Sequence, residues 1–330
     1  MAAAASGIDP LDRKVTVDLL DRKLIFVTGK GGVGKTTVAA ALAWLGASRG
    51  KRTLVCEVDA KGNLSDFFET GPTRFEEREI APRLWAMSMD TEASLKQYLS
   101  LQLKIPLVAR VGPLSKMFDF VASAAPGVRE IVTVGKLCWE VREKHYDLIV
   151  VDASASGHII GQLAAPQAIN QLVQVGLVRQ QTDWMLEILE DHDTTGLVVV
   201  ATPAEMPVAE TLDLTERLRA ETKVDLAAVV VNRVLPELFG RGEEEVFDRL
   251  DTDDGRSLLD GALGGPSAPL LQAAELTVTM RRSRTEHLER LRDAIDPAIP
   301  MLYVPYVFFR SHGLRATHQI ADSLSAELGY

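Results

Sequence analysis

The chain has 330 residues, of which 46% are hydrophobic and 25% charged, so it is long enough for a large packed core and too apolar to be largely disordered. Its formal net charge of −10, with Lys and Arg dispersed along the chain, argues weakly against the basic face typical of nucleic-acid binders, and we expect no nucleic-acid partner. Two isolated cysteines, the lack of a secretory signal and the lack of 18 consecutive apolar residues predict a cytoplasmic protein without stable membrane insertion.

Short apolar runs rich in β-branched residues recur along the chain, as is typical of strands buried on both faces of a parallel sheet. In chain order they are Leu24–Val27, Thr53–Val58, Leu84–Met89, Leu148–Val151, Leu197–Ala201, Ala227–Val231 and Met301–Val304. The predicted helices between them are Lys35–Arg49, much of Glu92–Glu143, Met206–Glu221 and Thr285–Ile295. This alternation predicts an α/β fold with a doubly wound, mostly parallel sheet of the P-loop NTPase type.

Two intervals between predicted strands are too long for simple crossovers. We interpret them as helical insertions, at about 91–144 and about 235–300, because neither is bounded by a linker of its own. Residues 1–20 are expected to form a flexible lead-in, and residues 21–330 a single domain.

The strongest motif follows the first predicted strand and has the form G-x-x-x-x-G-K-[ST]. It predicts a phosphate-binding loop for ATP, in which consecutive backbone N–H groups and the next helix N-terminus hold the anion. Lys35 should reach the β- and γ-phosphates, Thr36 should bind Mg²⁺, and Thr37 can donate to the α-phosphate. The predicted loop comprises Gly29, Lys30, Gly31, Gly32, Val33, Gly34, Lys35, Thr36 and Thr37.

Acidic residues at the ends of two other strands complete the predicted site. Asp152 ends a buried strand, where it should hold Mg²⁺ through water, and Gly157 can offer a backbone N–H to the γ-phosphate. Asp59 follows another strand and could activate the attacking water, although an Asp at such a position is more often a turn residue.

The loop Gly-Lys-Gly-Gly-Val-Gly-Lys-Thr-Thr resembles the deviant Walker A motif of the ArsA/GET-type ATPase family. The resemblance implies that the extra lysine, Lys30, reaches across a dimer interface to the phosphates of the partner. Such a cation, arriving only on closure, would stabilise charge in the transition state, so we count Lys30 with Lys35 and Asp59 among the predicted catalytic residues.

Further motifs follow in the order found in that family. The segment from Val58 to Asp66 resembles switch I, which implies that Asp59 activates water and Asn63 supports the switch. Residues 152–158 resemble switch II. Asn232 and Arg233 resemble the strand end that binds the adenine base in that family. Pro305 and Tyr306 resemble its C-terminal segment, whose backbone lines the base pocket.

The chain departs from this branch in its switches and its cysteines. Lys61 and Gly62 replace the usual residues of switch I, and Ala155 replaces a proline of switch II. Cys56 and Cys138 cannot supply a metalloid-binding triad, a zinc clamp or cluster ligands at the family's positions.

The predicted function is a Mg²⁺-dependent ATPase that dimerises with itself or with a paralogous subunit, and whose closure powers or gates a partner, client or membrane protein. Two alternatives stay open: a ParA/MinD-like positioning ATPase, and a nucleotide-binding scaffold paired with a paralogous ATPase. A hydrophobic client groove would use helices at 95–121 or 159–178, although apolar helix faces usually pack within the fold.

Overall fold

The computed structural model of the protein describes residues 18–59, 63–94, 97, 127–172, 175–235, 241–307 and 313–330. Within these ranges, eight strands form one sheet in the order β3-β4-β2-β5-β1-β6-β7-β8. All neighbouring pairs are parallel except β3 with β4 at one edge. The strands are β1 Leu24–Gly29, β2 Thr53–Glu57, β3 Arg78–Ala81, β4 Leu84–Ser88, β5 Leu148–Asp152, β6 Thr195–Ala201, β7 Leu226–Val234 and β8 Met301–Pro305.

The helices cover both faces of this sheet. They are α1 Lys35–Ser48, α2 Asn63–Phe67, α3 Val128–Arg142, α4 Ser156–Leu172, α5 Leu177–Leu189, α6 Glu205–Glu221, α7 Arg241–Leu250, α8 Asp253–Leu263, α9 Ala268–Ala294 and α10 Leu314–Glu327. The doubly wound, mostly parallel α/β fold predicted from the sequence is therefore confirmed.

Side chains of the central strands alternate between two apolar layers, as the pleat requires. Ile25 and Val27 of β1 pack in the layer with α1 and α10, whereas Leu24 and Phe26 pack in the layer with α3, α4 and α5. These residues are fully buried, which explains why the strands read as unbroken apolar runs.

Several elements differ from the predicted ones. Strand β3 was not predicted, because it is a four-residue edge strand whose side chains are exposed or half-buried. The predicted helix Thr285–Ile295 is the last part of the 27-residue α9. Residues 153–178, which include no Asp, Glu, Lys or Arg, contain α4 and the start of α5, and Gly176 at φ 93° is the N-cap of α5.

Parts of the predicted organisation lie outside the described residues, including 1–17 of the lead-in and 98–126 of the first insertion. At the end of the lead-in, a short 3-10 helix, Asp18–Asp21, buries Leu19 and Leu20 completely. The second insertion contains α7, α8 and α9. Within the ranges that the structure describes, no helix is long and apolar enough to cross a membrane.

Candidate functional site

The loop between β1 and α1 has a backbone that depends on glycine. Gly29 has φ 148°, and a Cβ there would lie 2.2 Å from the carbonyl oxygen of Val200. Gly34 has φ 98°, and a Cβ there would lie 2.4 Å from Nδ2 of Asn232. Because only glycine fits both the left-handed conformation and these close approaches, the loop has the permissive backbone that phosphate cradles require.

Thr36 and Asp152 meet where the loop faces the end of β5. The Thr36 hydroxyl donates a 2.7 Å hydrogen bond to Oδ2 of Asp152. The other carboxylate oxygen, Oδ1, is buried without a hydrogen-bond partner among the described residues. Hydroxyl and carboxylate oxygens are the ligands Mg²⁺ prefers, so this pair fits a divalent cation held directly or through water.

The electrostatics of Asp152 agree with that fit. Burial is the largest influence on Asp152 and raises its pKa to about 6. The hydrogen bond from Thr36 and the charge of Lys35 act in the opposite direction and lower this pKa. The carboxylates of Glu57 and Asp59 raise this pKa further. Several acidic groups therefore converge here, and a bound cation would offset their repulsion.

Asp59 and Glu57 reach this region from β2. Glu57 is buried and lies in register with Asp152 on the adjacent strand, while Asp59 is exposed just beyond the strand end. The exposed position of Asp59 leaves its carboxylate accessible to water at the phosphate edge of the sheet. Asn63 is the first residue of α2, and its side chain lies outside the described part, as do Lys61 and Gly62.

Lys30 has a carboxylate partner within its own chain. Its ammonium forms an ion pair with Oε1 of Glu210 on α6. The other oxygen of Glu210 accepts a 3.2 Å hydrogen bond from Ser156, the first residue of α4. The cluster therefore joins the phosphate loop to the segment predicted as switch II, while Gly157 beside it is exposed.

A cavity of about 850 Å³ opens between the phosphate loop and α2. Its walls are Gly31, Gly32, Gly34, Lys35, Thr36 and Thr37 from the loop, Ser65, Asp66, Phe67, Glu69 and Thr70 from α2 and the residues after it, and Arg233 from β7. This volume is in the range of small-molecule sites, and its polar lining suits a triphosphate.

The predicted adenine residues lie together at the ends of β7 and β8. Asn232 is buried, and its amide donates 2.8 Å to the carbonyl of Val33 and accepts from the backbone N–H of Arg233. Pro305 pairs with Val234, and the Tyr306 N–H donates to the Val234 carbonyl. The amide of Asn232 thus supports the phosphate loop, and its predicted contact with adenine stays a prediction.

The structure brings the loop, Asp59, Asp152 and the adenine residues to one edge of the sheet. Sequence reasoning missed Glu57, Glu69, Ser156 and Glu210. A carboxylate ending an otherwise apolar strand was a usable signal for Glu57. The others have no local signal, because their partners are distant in sequence.

Comparison with known proteins agrees with this geometry. A family model described as "Anion-transporting ATPase" matches residues 22–186 and 175–246. The chain belongs to this anion-transporting ATPase family. It is 31% identical over 330 residues to the ATPase BagA of Mycobacterium tuberculosis, with 92% of this chain and 93% of that protein covered.

More distant relatives of the anion-transporting ATPase family cover less of the chain. ATPase ASNA1 homolog 1 of Paramecium tetraurelia is 29% identical over an alignment of 256 positions, which covers 64% of this chain and 75% of that protein. ATPase GET3C of Arabidopsis thaliana is 24% identical over an alignment of 287 positions, which covers 72% of this chain and 73% of that protein. The predictions of an ArsA/GET-type family and of an ATPase are therefore confirmed, while the roles of individual residues stay predictions.

Proposed function

We propose that this chain is a Mg²⁺-dependent ATPase that hydrolyses ATP in a closed dimer and uses that closure to gate a partner protein. The proposed site holds the triphosphate on the loop Gly29–Thr37 and Mg²⁺ at Thr36 and Asp152. The cation would neutralise the phosphate oxygens as charge shifts to the leaving group. Asp59 would accept a proton from the attacking water.

The dimer follows from the resemblance of the loop to the family's motif, and the observation that bears on its closure is the ion pair between Lys30 and Glu210. A lysine whose ammonium is held by a carboxylate of its own chain must exchange that partner before it can reach a phosphate. The exchange is electrostatically reasonable, because both side chains are partly exposed and a triphosphate carries more charge than a carboxylate. We infer that closure moves Lys30 from Glu210 to the nucleotide of the partner subunit.

The proposed gating is supported by the second contact of Glu210, the hydrogen bond that it accepts from Ser156. Ser156 begins α4, and α4 ends at Leu172, whose side chain is 83% exposed. Val175, just beyond the helix, is 82% exposed. A switch that moves the start of α4 would therefore move an exposed apolar helix end, which is a suitable contact for a client protein.

Mixing two inactive variants tests whether Lys30 acts in trans. Lys30→Ala should bind ATP but not hydrolyse it, and Lys35→Ala should not bind it. In a mixed dimer, the intact Lys30 of one chain can reach the ATP held by the other. An equimolar mixture should recover up to about one quarter of wild-type turnover, since half of randomly formed dimers are mixed and each has one competent site.

Lys223→Ala is the matched control, because Lys223 also pairs with a single carboxylate, Glu190, at a distance of 3.0 Å. It should keep wild-type turnover alone, and its equimolar mixture with Lys35→Ala should give about one half of wild-type turnover, which is what the Lys223→Ala chains contribute without any complementation. If the mixture of Lys30→Ala and Lys35→Ala recovers no turnover although analytical ultracentrifugation shows dimers, action of Lys30 in trans is excluded. Sedimentation as a monomer with Mg²⁺-ATP and the non-hydrolysing Asp59→Asn variant would exclude the dimer itself.

The same Asp59→Asn trap tests the gating. Held closed with ATP, it should retain a client from native lysate that is released on exchange to ADP. Replacing Leu172 and Val175 together by Ser in this trap should abolish the retention, and the same replacement in the wild-type background should leave turnover unchanged. If retention is unaffected, the exposed end of α4 is not the client contact.

A further inference from the structure

A second cavity, of about 540 Å³, opens at the amino ends of β2, β4 and β5. Among the described residues, it shares no lining residue with the nucleotide cavity, which lies at the carboxyl edge of the sheet. Its walls include Trp85 of β4, Lys136, Trp139 and Glu140 of α3, and Lys144 and Tyr146 of the turn that precedes β5. A cavity of this size can enclose a small molecule, so the chemistry of its walls decides which class of molecule fits.

The floor of this cavity consists of buried charges that are already paired. The side chains of Lys136 and Glu140 are 5% and 2% exposed, and the two form an ion pair. The ammonium of Lys136 also lies 3.1 Å from Oε1 of Glu77, and Oε2 of Glu140 lies 2.6 Å from Nδ1 of His145. Because these charges have partners within the chain, the floor is polar and fixed in position, and its charges do not require a ligand.

Aromatic rings form the sides of the cavity. The rings of Trp85 and Tyr146 meet at 5.7 Å between centroids and an angle of 60°. Trp139 meets the ring of His145 edge-on, at 5.0 Å. Burial raises the pKa of Tyr146 above its usual value, so its phenol stays an uncharged hydrogen-bond donor. Both tryptophans are half-buried, and such ring surfaces favour a planar apolar group.

Lys144 occupies a backbone position where glycine is the usual residue. It follows the C-cap of α3 and has φ 56°, in the left-handed region. Its N–H donates 3.1 Å to the carbonyl of Val141, and the N–H of His145 donates 3.3 Å to the carbonyl of Glu140. These two hydrogen bonds form a Schellman motif, in which a side chain at the left-handed position strains the backbone. A lysine in this place therefore points to a use for its side chain.

The ammonium of Lys144 is the positive charge at this cavity that the fold leaves uncommitted. Lys144 is exposed, and its side chain has no ion-pair or hydrogen-bond partner among the described residues. Arg52 also lines the cavity, but Asp147 binds its guanidinium at 2.9 Å. An anionic group on a ligand would pair with Lys144, whereas a cationic group would be repelled.

We propose that this cavity binds a small planar aromatic carboxylate. The ring of the ligand lies against Trp85, Trp139 and Tyr146, and its carboxylate pairs with the ammonium of Lys144. The site goes beyond the proposed ATPase function, because it uses none of the residues assigned to ATP or Mg²⁺.

Comparing two probes of equal ring size and opposite charge tests the proposed class of ligand. The probes are 2-naphthoate and 2-naphthylmethylammonium, each titrated by calorimetry into the full-length chain. One molecule of 2-naphthoate should bind per chain with a Kd of about 0.1–1 mM, the scale expected for so few non-hydrogen atoms. The ammonium probe should bind about tenfold more weakly or not at all, because its charge has the same sign as that of Lys144.

Lys144→Gly tests the contact with the carboxylate. It should weaken 2-naphthoate binding about fivefold, the scale of one exposed ion pair, and leave the ammonium probe no weaker. The variant should fold, because glycine is the usual residue in this conformation. Arg83→Gly is the matched control: Arg83 is an exposed basic residue at φ 63° in the turn between β3 and β4, outside the cavity. It should keep wild-type affinity for 2-naphthoate.

Trp85→Leu tests the contact with the aromatic ring. It should weaken 2-naphthoate binding about tenfold, because a ring–ring contact and its buried area are lost. Trp184→Leu, which replaces a half-buried tryptophan of α5 that does not line the cavity, should keep wild-type affinity. Lys35→Ala should also keep it, which distinguishes this cavity from anion binding at the phosphate loop.

Four results would overturn the proposal. The first is no binding of 2-naphthoate at concentrations tenfold above the expected Kd, and the second is equal affinity for the two probes. The third is a wild-type affinity for 2-naphthoate in both Lys144→Gly and Trp85→Leu, or an equal loss in their controls. The fourth is loss of 2-naphthoate binding in Lys35→Ala, which would place the anion in the nucleotide cavity. ATP turnover is measured separately, so none of these results decides the proposed ATPase function.

Discussion

Buried carboxylates at the two edges of the sheet differ in how many of their oxygens have a hydrogen-bond or ion-pair partner. At the carboxyl edge, Asp152 is buried with one oxygen bonded to Thr36 and the other without a partner among the described residues. At the amino edge, Glu140 on α3 is equally buried, but Oε1 binds Lys136 and Oε2 lies 2.6 Å from Nδ1 of His145.

We interpret the difference as one between a group that would serve a ligand, Asp152, and a group that stabilises the fold, Glu140. A buried oxygen without a partner costs stability, so its retention points to a ligand that completes it. A buried carboxylate with all its partners present stabilises one arrangement of its neighbours, and it is costly to disrupt. Substitutions at the two edges should therefore change different measurements.

The largest effect is expected at Asp152. Asp152→Asn keeps the shape but removes the charge that would hold Mg²⁺, and ATP turnover should fall by about 10³-fold, the upper range for losing one electrostatic contact in a transition state. Without nucleotide, the free energy of unfolding in urea should rise by about 1 kcal/mol, because an incompletely bonded buried charge is gone. A stable variant with normal turnover would remove Asp152 from the proposed Mg²⁺ site.

The reverse outcome is expected at Glu140. Glu140→Ala leaves the ammonium of Lys136, whose side chain is 5% exposed, with Glu77 as its one remaining carboxylate partner among the described residues. The free energy of unfolding should fall by about 3 kcal/mol, with turnover per folded molecule unchanged. Glu143→Ala, an exposed glutamate at the end of the same helix, should change neither. If Glu140→Ala lowers turnover instead, the amino edge takes part in function and the comparison fails.

A smaller effect is expected where the carboxyl edge does form an ion pair. Glu210→Gln removes the charge that holds Lys30, and a partly exposed pair is worth about 0.5–1 kcal/mol. In the Asp59→Asn background, half-maximal dimerisation should need about threefold less ATP by analytical ultracentrifugation. Glu216→Gln, exposed on the same helix, should match its parent. A higher ATP requirement in Glu210→Gln would mean that Glu210 stabilises the closed dimer and does not oppose it.

The smallest effect is expected at the exposed amino edge. Asp147 accepts hydrogen bonds from Arg52, and this contact lowers the pKa of Asp147 to about 2 from 3.8. Because the folded pKa is the lower one, the stabilisation is present above pH 3.8 and is lost as pH falls towards 2. Since both side chains are over 40% exposed, Asp147→Asn should cost only about 0.5 kcal/mol at pH 7. The free energy of unfolding of the wild type and of Asp147→Asn is measured at pH 7 and pH 2.5, and the difference between the two proteins should be smaller at pH 2.5. An equal difference at both pH values would exclude titration of Asp147 as its cause.

Much of the fold could be predicted because its signals are local. The strands at Leu24, Thr53 and Leu148 are apolar runs, and the glycines of the phosphate loop are required by backbone conformation and close approach. Strand β3 and the full length of α9 escaped prediction, since an exposed edge strand and a charged surface helix carry little apolar periodicity.

The sequence by itself determined the phosphate loop, the acidic strand ends and the family, because each depends on residues within a few positions of one another. Only the tertiary structure decided that Lys30 meets Glu210 and that Glu69 meets Leu314. Those pairs are 180 and 245 positions apart, so their contacts depend on the sheet order and the helix packing. Tertiary packing likewise left one buried oxygen of Asp152 without a partner among the described residues, whereas each oxygen of Glu140 has one.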